Sequence, residues 1–300
     1  MPLAIAVHGG AGDIPDALRP DHAAGIQAAL QAGKAVLQAG GTALEAATAA
    51  VIVLEDLPAF NAGYGSVLNR EGFVQMDAGL MDGTSLDVGA VAAVEGIKNP
   101  ILAAQAVLKT PHILFAKADA EAVARAAGVE FVDNASLITP RRHAQWASGD
   151  RDFKVDSGST DSETIADTVG AVALDGLGNI AAATSTGGMS GKPLGRIGDS
   201  PIPGGGFYAD SHAGGCSTTG WGETIARVLL ARRSIENLER GMDVQAAAEA
   251  AVAVLGQRIE GGEGGLILVA SNGQIGAAFN SQRMTHAYWS NLDDQEQIIA

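Results

Sequence analysis

A single cysteine, Cys216, stands in 300 residues, which excludes an intramolecular disulfide framework and fits a reducing compartment. Aromatic residues make up only 4% of the chain, so close packing of small aliphatic side chains has to fill the core. Basic residues are scarce. Lys+Arg 19 against Asp+Glu 34 leave a net charge of −15, which excludes nucleic acid or an anionic membrane surface as the natural partner and leaves small substrates open. No apolar run reaches the roughly 18 residues needed to cross a bilayer, and the best, AATAAVIVL at 46–54, is too short. The opening MPLAIAVHGGAG has no basic segment, and His8 and the glycines break its apolar run. It does not read as a secretory signal. A soluble, cytoplasmic protein is the expectation.

Alanine and glycine dominate what is present, and the periodicity alternates between helix and strand. A first strand is expected over 3–9, helices over 21–38 and 42–55, and a glycine-studded loop at FNAGYGSVLN (60–69). Strands follow in 72–83 and 86–96, then helices near 100–108, 117–127 and 139–147. The second half restarts with a hairpin, TVGAVALD–GLGN–IAAATSTGG, and a long Gly/Pro loop that carries Lys192, Arg196 and Asp199. A helix over about 222–239, a second from Asp243, and a hairpin turning at Asn272-Gly273 complete the chain. Two packed sheets with helices outside satisfy this mixed order most simply. The stretch 148–167 is rich in Asp, Glu and Ser and poor in apolar side chains, the composition of a mobile linker.

Several chemistries find no support. The chain lacks a P-loop, a C-x-x-C pair, H-E-x-x-H, an EF-hand and a G-x-S-x-G elbow. Asp77, Asp82 and Asp87 read as turn and strand-end carboxylates, Cys216 as a packed core thiol, and His8 as a hydrogen-bonded structural imidazole. Thr168 reads by default as a β-branched strand residue. Its setting suggests more. A chain cut between Asp167 and Thr168 would place an α-amine, with an ordinary pKa of about 8, beside the hydroxyl of the same residue. Such a residue is nucleophile and general base together.

These residues resemble a known family. HGGAG (8–12), LEDLPAFNAGYGSVLN (54–69), MDAGLMDG (76–83), the long run 167–210 and TGWGE (219–223) are similar, in this order, to the plant-type L-asparaginases, or isoaspartyl (β-aspartyl) peptidases, of the N-terminal nucleophile hydrolases. The resemblance implies one four-layer αββα sandwich over 1–300. It also implies self-cleavage between Asp167 and Thr168 into chains 1–167 and 168–300. Thr168 is then the nucleophile, Thr186 the hydroxyl that tunes it, and Thr219 and Gly220 the oxyanion hole. Arg196 and Asp199 bind the substrate α-carboxylate and α-ammonium, Gly222 adds a backbone contact, and Asn61 lies near the nucleophile. A guanidinium fork and a carboxylate three residues apart suit a free amino-acid end. The backbone carbonyls of Leu54, Glu55, Leu57, Phe60, Ala62 and Tyr64 match a loop that holds a structural sodium ion, with no cofactor needed for the chemistry. A homodimer of cleaved units is implied as well.

The implied reaction is hydrolysis of L-asparagine and β-aspartyl dipeptides through an ester on Thr168. Two alternatives stand beside it: cleavage of sugar-linked asparagine, and an uncleaved amino-acid-binding protein. The chain departs from the family pattern at Asp167, often Gly; at Trp221, Thr in some members; and at Met284-Thr285-His286, where an arginine often follows the methionine.

Overall fold

The computed structural model describes residues 1–12, 14–149, 165–166 and 168–299. Side-chain alternation along β1 (Ala4–Gly12) shows how its layers arise. Ile5 and Val7 point to one face, Ala4 and Ala6 to the other, and all four are fully buried. A strand buried on both faces needs a layer on each side. On the Ile5 and Val7 face pack α1 (Arg19–Gln38) and α2 (Ala43–Asp56), through Ile26, Leu30, Val51 and Leu54. The Ala4 and Ala6 face meets a second sheet.

After α2 come β2 (Met76–Asp82), β3 (Val88–Val94), α3 (Pro100–Leu108), β4 (Leu114–Ala116), α4 (Lys117–Ala126), α5 (Pro140–Ser148) and β5 (Ile165–Ala166). Then follow β6 (Val169–Leu174), β7 (Ile180–Thr186), β8 (Phe207–Asp210), β9 (Gly214–Gly220), α6 (Gly222–Val228), α7 (Leu230–Glu239) and α8 (Val244–Arg258). The chain closes with β10 (Gly264–Ala270), β11 (Ile275–Phe279), β12 (Arg283–Ser290) and β13 (Glu296–Ile299). The larger sheet runs β13-β12-β1-β6-β7-β2-β3-β4, with β5 on the end of β1; the smaller runs β11-β10-β9-β8. In β10, Leu266 and Leu268 face α7 and α8, whereas Ile267 and Val269 face Val172, Leu174 and Phe207 between the sheets. The order is helix, sheet, sheet, helix, the αββα sandwich. Small residues let the sheets approach: a Cβ on Gly79 would lie 2.2 Å from the Phe207 ring.

The structure corrects three expectations and adds one element. The helix over 222–239 is two helices, because Leu229 takes a left-handed conformation, φ 52. An unbroken helix would carry the apolar stripe of Ile225, Val228 and Leu229 on to Arg232. The break rotates Leu230, Ala231 and Ile235 inward and leaves Arg232 to pair with Glu239. The segment around Met284-Thr285-His286, to which no role was given, is β12, paired with β1 in the interior of the larger sheet. The first strand, expected over 3–9, does not stop there: β1 runs on to Gly12, with an irregular register between His8 and Ala11. Of the three aspartates, Asp82 takes a turn role, accepting from Thr84 N at 2.8 Å. Asp77, by contrast, is fully buried.

At the proposed linker, Ser148 closes α5 and Ile165–Ala166 pair with β1; residues 150–164 and 167 lie outside the described residues. Among the described residues, no helix is long and apolar enough to cross a membrane.

Candidate active site

The β6–β7 hairpin brings two hydroxyls together. Its turn is tied by Asp175, whose Oδ1 accepts from Leu177 N at 2.9 Å and Asn179 N at 3.0 Å. That turn sets the register Val169↔Ser185, which puts Thr168 across from Thr186. Thr168 Oγ1 donates to Thr186 Oγ1 at 3.0 Å, in a buried setting. Thr186 Oγ1 also accepts from Gly188 N at 2.9 Å, so both of its lone pairs are engaged, one by Gly188 and one by Thr168. Asn61 holds the same turn. Its Nδ2 donates to Gly188 O at 2.6 Å and its Oδ1 accepts from Val67 N at 2.9 Å, while Gly187 N donates to Asn61 O at 2.8 Å. The Asn61 amide is thus engaged in orienting the turn beside Thr186.

From the smaller sheet, β9 contributes a row of buried hydroxyls, Ser217, Thr218 and Thr219. Ser217 Oγ bridges the sheets to Thr184 Oγ1 at 2.7 Å and to His8 Nε2 at 2.8 Å. His8 also lies against the Thr168 backbone, and burial drives its pKa down to about 3, so the imidazole is neutral. Gly220, at φ 139, ends the row against β10, where a Cβ would stand 2.4 Å from Gly264 Cα. No side chain fits there.

Beside β9 a second group converges. Thr218 Oγ1 donates to Asp199 Oδ2 at 3.0 Å, and burial raises the Asp199 carboxyl to about 7. A Cβ on Gly222 would lie 2.7 Å from Asp199 Oδ1 and 3.1 Å from Arg196 Nη2. The missing side chain therefore lets a carboxylate oxygen and a guanidinium N–H both pack against the start of α6. Arg196 is already paired on one edge: Nε and Nη2 donate to Glu223 at 2.8 and 2.6 Å. Burial works to raise the Glu223 carboxyl, but the Arg196 hydrogen bond and charge outweigh it, and the Trp221 side chain assists. Glu223 stays ionised.

Beneath lies a buried pair. Lys192 is fully buried, with Nζ donating to Gln75 O at 2.7 Å. Asp77 Oδ1 accepts from Ala93 N at 2.7 Å. Burial raises Asp77 and lowers Lys192, and each charge opposes the shift of the other. The pair joins the two groups: Asp77 lies opposite Thr186 across β2 and β7, and Lys192 Nζ would lie 2.8 Å from a Cβ on Gly188.

The loop after α2 has its own geometry. The helix starts with a capping box between Thr42 and Glu45, and Leu57-Pro58 carries the chain out of it. Leu54 O accepts from Leu57 N, Leu57 O from Phe60 N, and Glu55 O from Tyr64 N. The Glu55 side chain is fully buried. Its Oε1 accepts from Ser185 Oγ at 2.6 Å and Ile101 N at 3.0 Å, and burial pushes its carboxyl up to about 8.

The family model Asparaginase_2, described as Asparaginase, matches residues 1–299. The chain belongs to the asparaginase family. A Xenopus laevis protein named isoaspartyl peptidase/L-asparaginase is 44% identical over 300 residues, covering 100% of this chain and 95% of that protein. Proteins of the same name from Danio rerio, at 43% over 94% of this chain and 91% of that protein, and from Homo sapiens, at 42% over 95% and 92%, are similarly close.

On this asparaginase-family chain the structure joins Thr168 to Thr186, and Arg196 to Asp199 around Gly222. Asn61 supports the first group, and Thr219 and Gly220 close the strand whose Thr218 supports the second. Asp167 lies outside the described residues. Cys216 is a core residue, buried and with its thiol pushed up to about 12 by desolvation. Sequence reasoning missed Glu223, Asp77, Lys192, Thr218 and the Glu55 side chain as parts of the site. Glu223 was visible as the last residue of TGWGE, and Lys192 as a cation in a loop otherwise rich in Gly and Pro. Nothing local marked Asp77, whose surroundings come from distant segments.

Proposed function

We propose that this chain is a self-processing threonine amidohydrolase that converts L-asparagine to L-aspartate and ammonia and cleaves β-aspartyl dipeptides. The observation that carries the reading is the 3.0 Å contact from Thr168 Oγ1 to Thr186 Oγ1; Arg196 and Asp199, which meet at Gly222, supply opposite charges for an amino-acid end. The names of the relatives, isoaspartyl peptidase/L-asparaginase, agree with it.

In the precursor, Thr168 Oγ attacks the carbonyl carbon of Asp167. The acyl group moves from nitrogen to oxygen, and water hydrolyses that ester, leaving a free α-amine on Thr168. In turnover the hydroxyl gives its proton to that amine and attacks the β-amide carbon of the substrate. Thr219 and the Gly220 N–H receive the developing negative oxygen. The leaving nitrogen departs with a proton as ammonia or the amine of the released residue. Water then cleaves the β-aspartyl ester, giving aspartate and free Thr168. Arg196 holds the α-carboxylate and Asp199 the α-ammonium, whose charge draws the Asp199 carboxyl into its ionised form.

The proposal includes a sodium ion on the carbonyls of Leu54, Glu55, Leu57, Phe60, Ala62 and Tyr64. Neutral oxygens suit a monovalent cation; three of them already accept a hydrogen bond, and a carbonyl retains a second lone pair for a cation. The ion would brace the loop and take no part in the chemistry. A cytoplasmic homodimer of cleaved units belongs to the same reading.

The test is a denaturing gel of purified protein with sequencing of any new N-terminus, followed by aspartate release from asparagine, β-Asp-Leu and a sugar-linked asparagine. Fragments beginning TVGAV and turnover of the first two are expected. A permanently intact chain without amidase activity overturns the proposal, and a strong preference for the sugar-linked substrate overturns its substrate class.

A further inference from the structure

Arg196 meets Glu223 side-on, through Nε to Oε1 at 2.8 Å and Nη2 to Oε2 at 2.6 Å. This pairing uses two of the five guanidinium N–H groups and sets a full negative charge against the positive one. Nη2 keeps a second hydrogen and Nη1 keeps both. Nη2 is also the Arg196 nitrogen that packs against Gly222, where Asp199 Oδ1 packs as well. The Arg196 side chain is 10% exposed and that of Glu223 37%, so the pair lies at the rim with its cation inward.

We infer that Glu223 is a specificity-determining residue: by cancelling the Arg196 charge it makes a carboxylate alone a poor ligand, so that tight binding requires an ammonium for Asp199 as well. The inference rests on the reading of the site given above and deepens it. With Glu223 ionised, Arg196 and Glu223 sum to zero, and Asp199 brings its negative charge when an ammonium stands against it. A zwitterionic amino-acid end adds its two opposite charges at matched partners. A ligand with the carboxylate only brings a second anion beside Glu223 and leaves Asp199 without its cation. Like charges at such a distance are strongly unfavourable where solvent is thin.

Calorimetric binding of three ligands to the purified protein tests this. L-aspartate carries both groups, succinate lacks the ammonium, and β-alanine lacks the α-carboxylate. In the wild type the expected order of affinity is aspartate, then β-alanine, then succinate; succinate binding more tightly than β-alanine overturns the inference, and this comparison needs no variant. In Glu223→Gln the ratio of succinate to aspartate dissociation constants should fall by about tenfold or more, and Glu223→Asp should restore it. A merely structural role would weaken both ligands together and leave the ratio unchanged, which also overturns the inference. The two readings fail separately. Wild type that binds aspartate in the expected order yet hydrolyses neither asparagine nor β-Asp-Leu overturns the proposed activity alone, and wild type that binds none of the three overturns both.

Discussion

Thr168 and Thr186 are 18 residues apart in the chain and 3.0 Å apart at their hydroxyl oxygens. The β6–β7 hairpin has an antiparallel register that makes the residue before β6 the neighbour of the last residue of β7. A turn tied by Asp175 and a buried face on each strand hold that register, because a slip of one residue would turn Thr186 to the helix side where Ser185 now meets Glu55. The contact is therefore a property of the sheet, and variants at either threonine leave the strand register in place.

Thr168→Ala removes the proposed nucleophile. Aspartate release from asparagine should fall by at least about a thousandfold, and the purified chain should run as one band. Thr168→Ser, which keeps a hydroxyl, should retain both processing and some turnover. Normal activity in the alanine variant would remove Thr168 from the mechanism.

Thr186→Val replaces the acceptor hydroxyl with a methyl of similar size. It should lower kcat by about 10²- to 10⁴-fold with a smaller change in KM, since Arg196 and Asp199 are untouched. Gly188 N loses its acceptor, so stability should drop by about 1–3 kcal/mol. Steady-state kinetics and thermal melts read the two effects separately. A rise in KM at constant kcat would mean that Thr186 acts in binding.

The layers were legible in the sequence because they are written locally, whereas the Thr168 site rested on the resemblance to the asparaginase family, since by its neighbours alone Thr168 reads as a strand residue. Alternation in IAVHG and VGAVAL, and the sharp start of the strand at Thr168, need only neighbours to be read. β12 was not legible, since RMTHAYWS mixes polar groups into both faces. Its partners are β1, nearly three hundred residues earlier, and β13. Leu229 misled the periodicity because no glycine marks the turn between α6 and α7. Asp77 looked like a turn residue among three evenly spaced aspartates. Its buried carboxyl feels the opposing charges of Lys192 and Arg196, which only the fold brings near. Charged residues buried by long-range packing leave no local trace.

Gly222→Ala adds one methyl where the structure has least room. Its Cβ would stand 2.7 Å from Asp199 Oδ1 and 3.1 Å from Arg196 Nη2, and alanine is otherwise welcome in the first turn of a helix. Folding and self-processing should therefore persist. KM for asparagine should rise by about tenfold or more, an effect of a little over 1.4 kcal/mol, with kcat changed less. An unchanged KM would show that the amino-acid end does not depend on how Asp199 and Arg196 meet at Gly222.

The last prediction concerns pH and follows from Glu55. Its carboxyl is fully buried, and burial raises it from 4.5 to about 8 in the folded chain. The folded protein therefore keeps a proton that the unfolded chain releases above its ordinary carboxylate pKa. Between those two values the unfolded state binds fewer protons than the folded one, so stability falls as pH rises. The contribution is complete below pH about 4.5 and is lost progressively towards pH about 8. Asp199, raised to about 7, adds loss of the same sign over a narrower window. Glu55→Gln retains a carbonyl acceptor for Ser185 Oγ and Ile101 N and has no proton to lose. The variant should thus gain on the wild type as pH rises from 5 to 8, by on the order of 1 kcal/mol or more. Denaturant melts of both proteins across that range measure the difference. A gap between them that stays constant with pH would show that Glu55 does not hold its proton in the folded state.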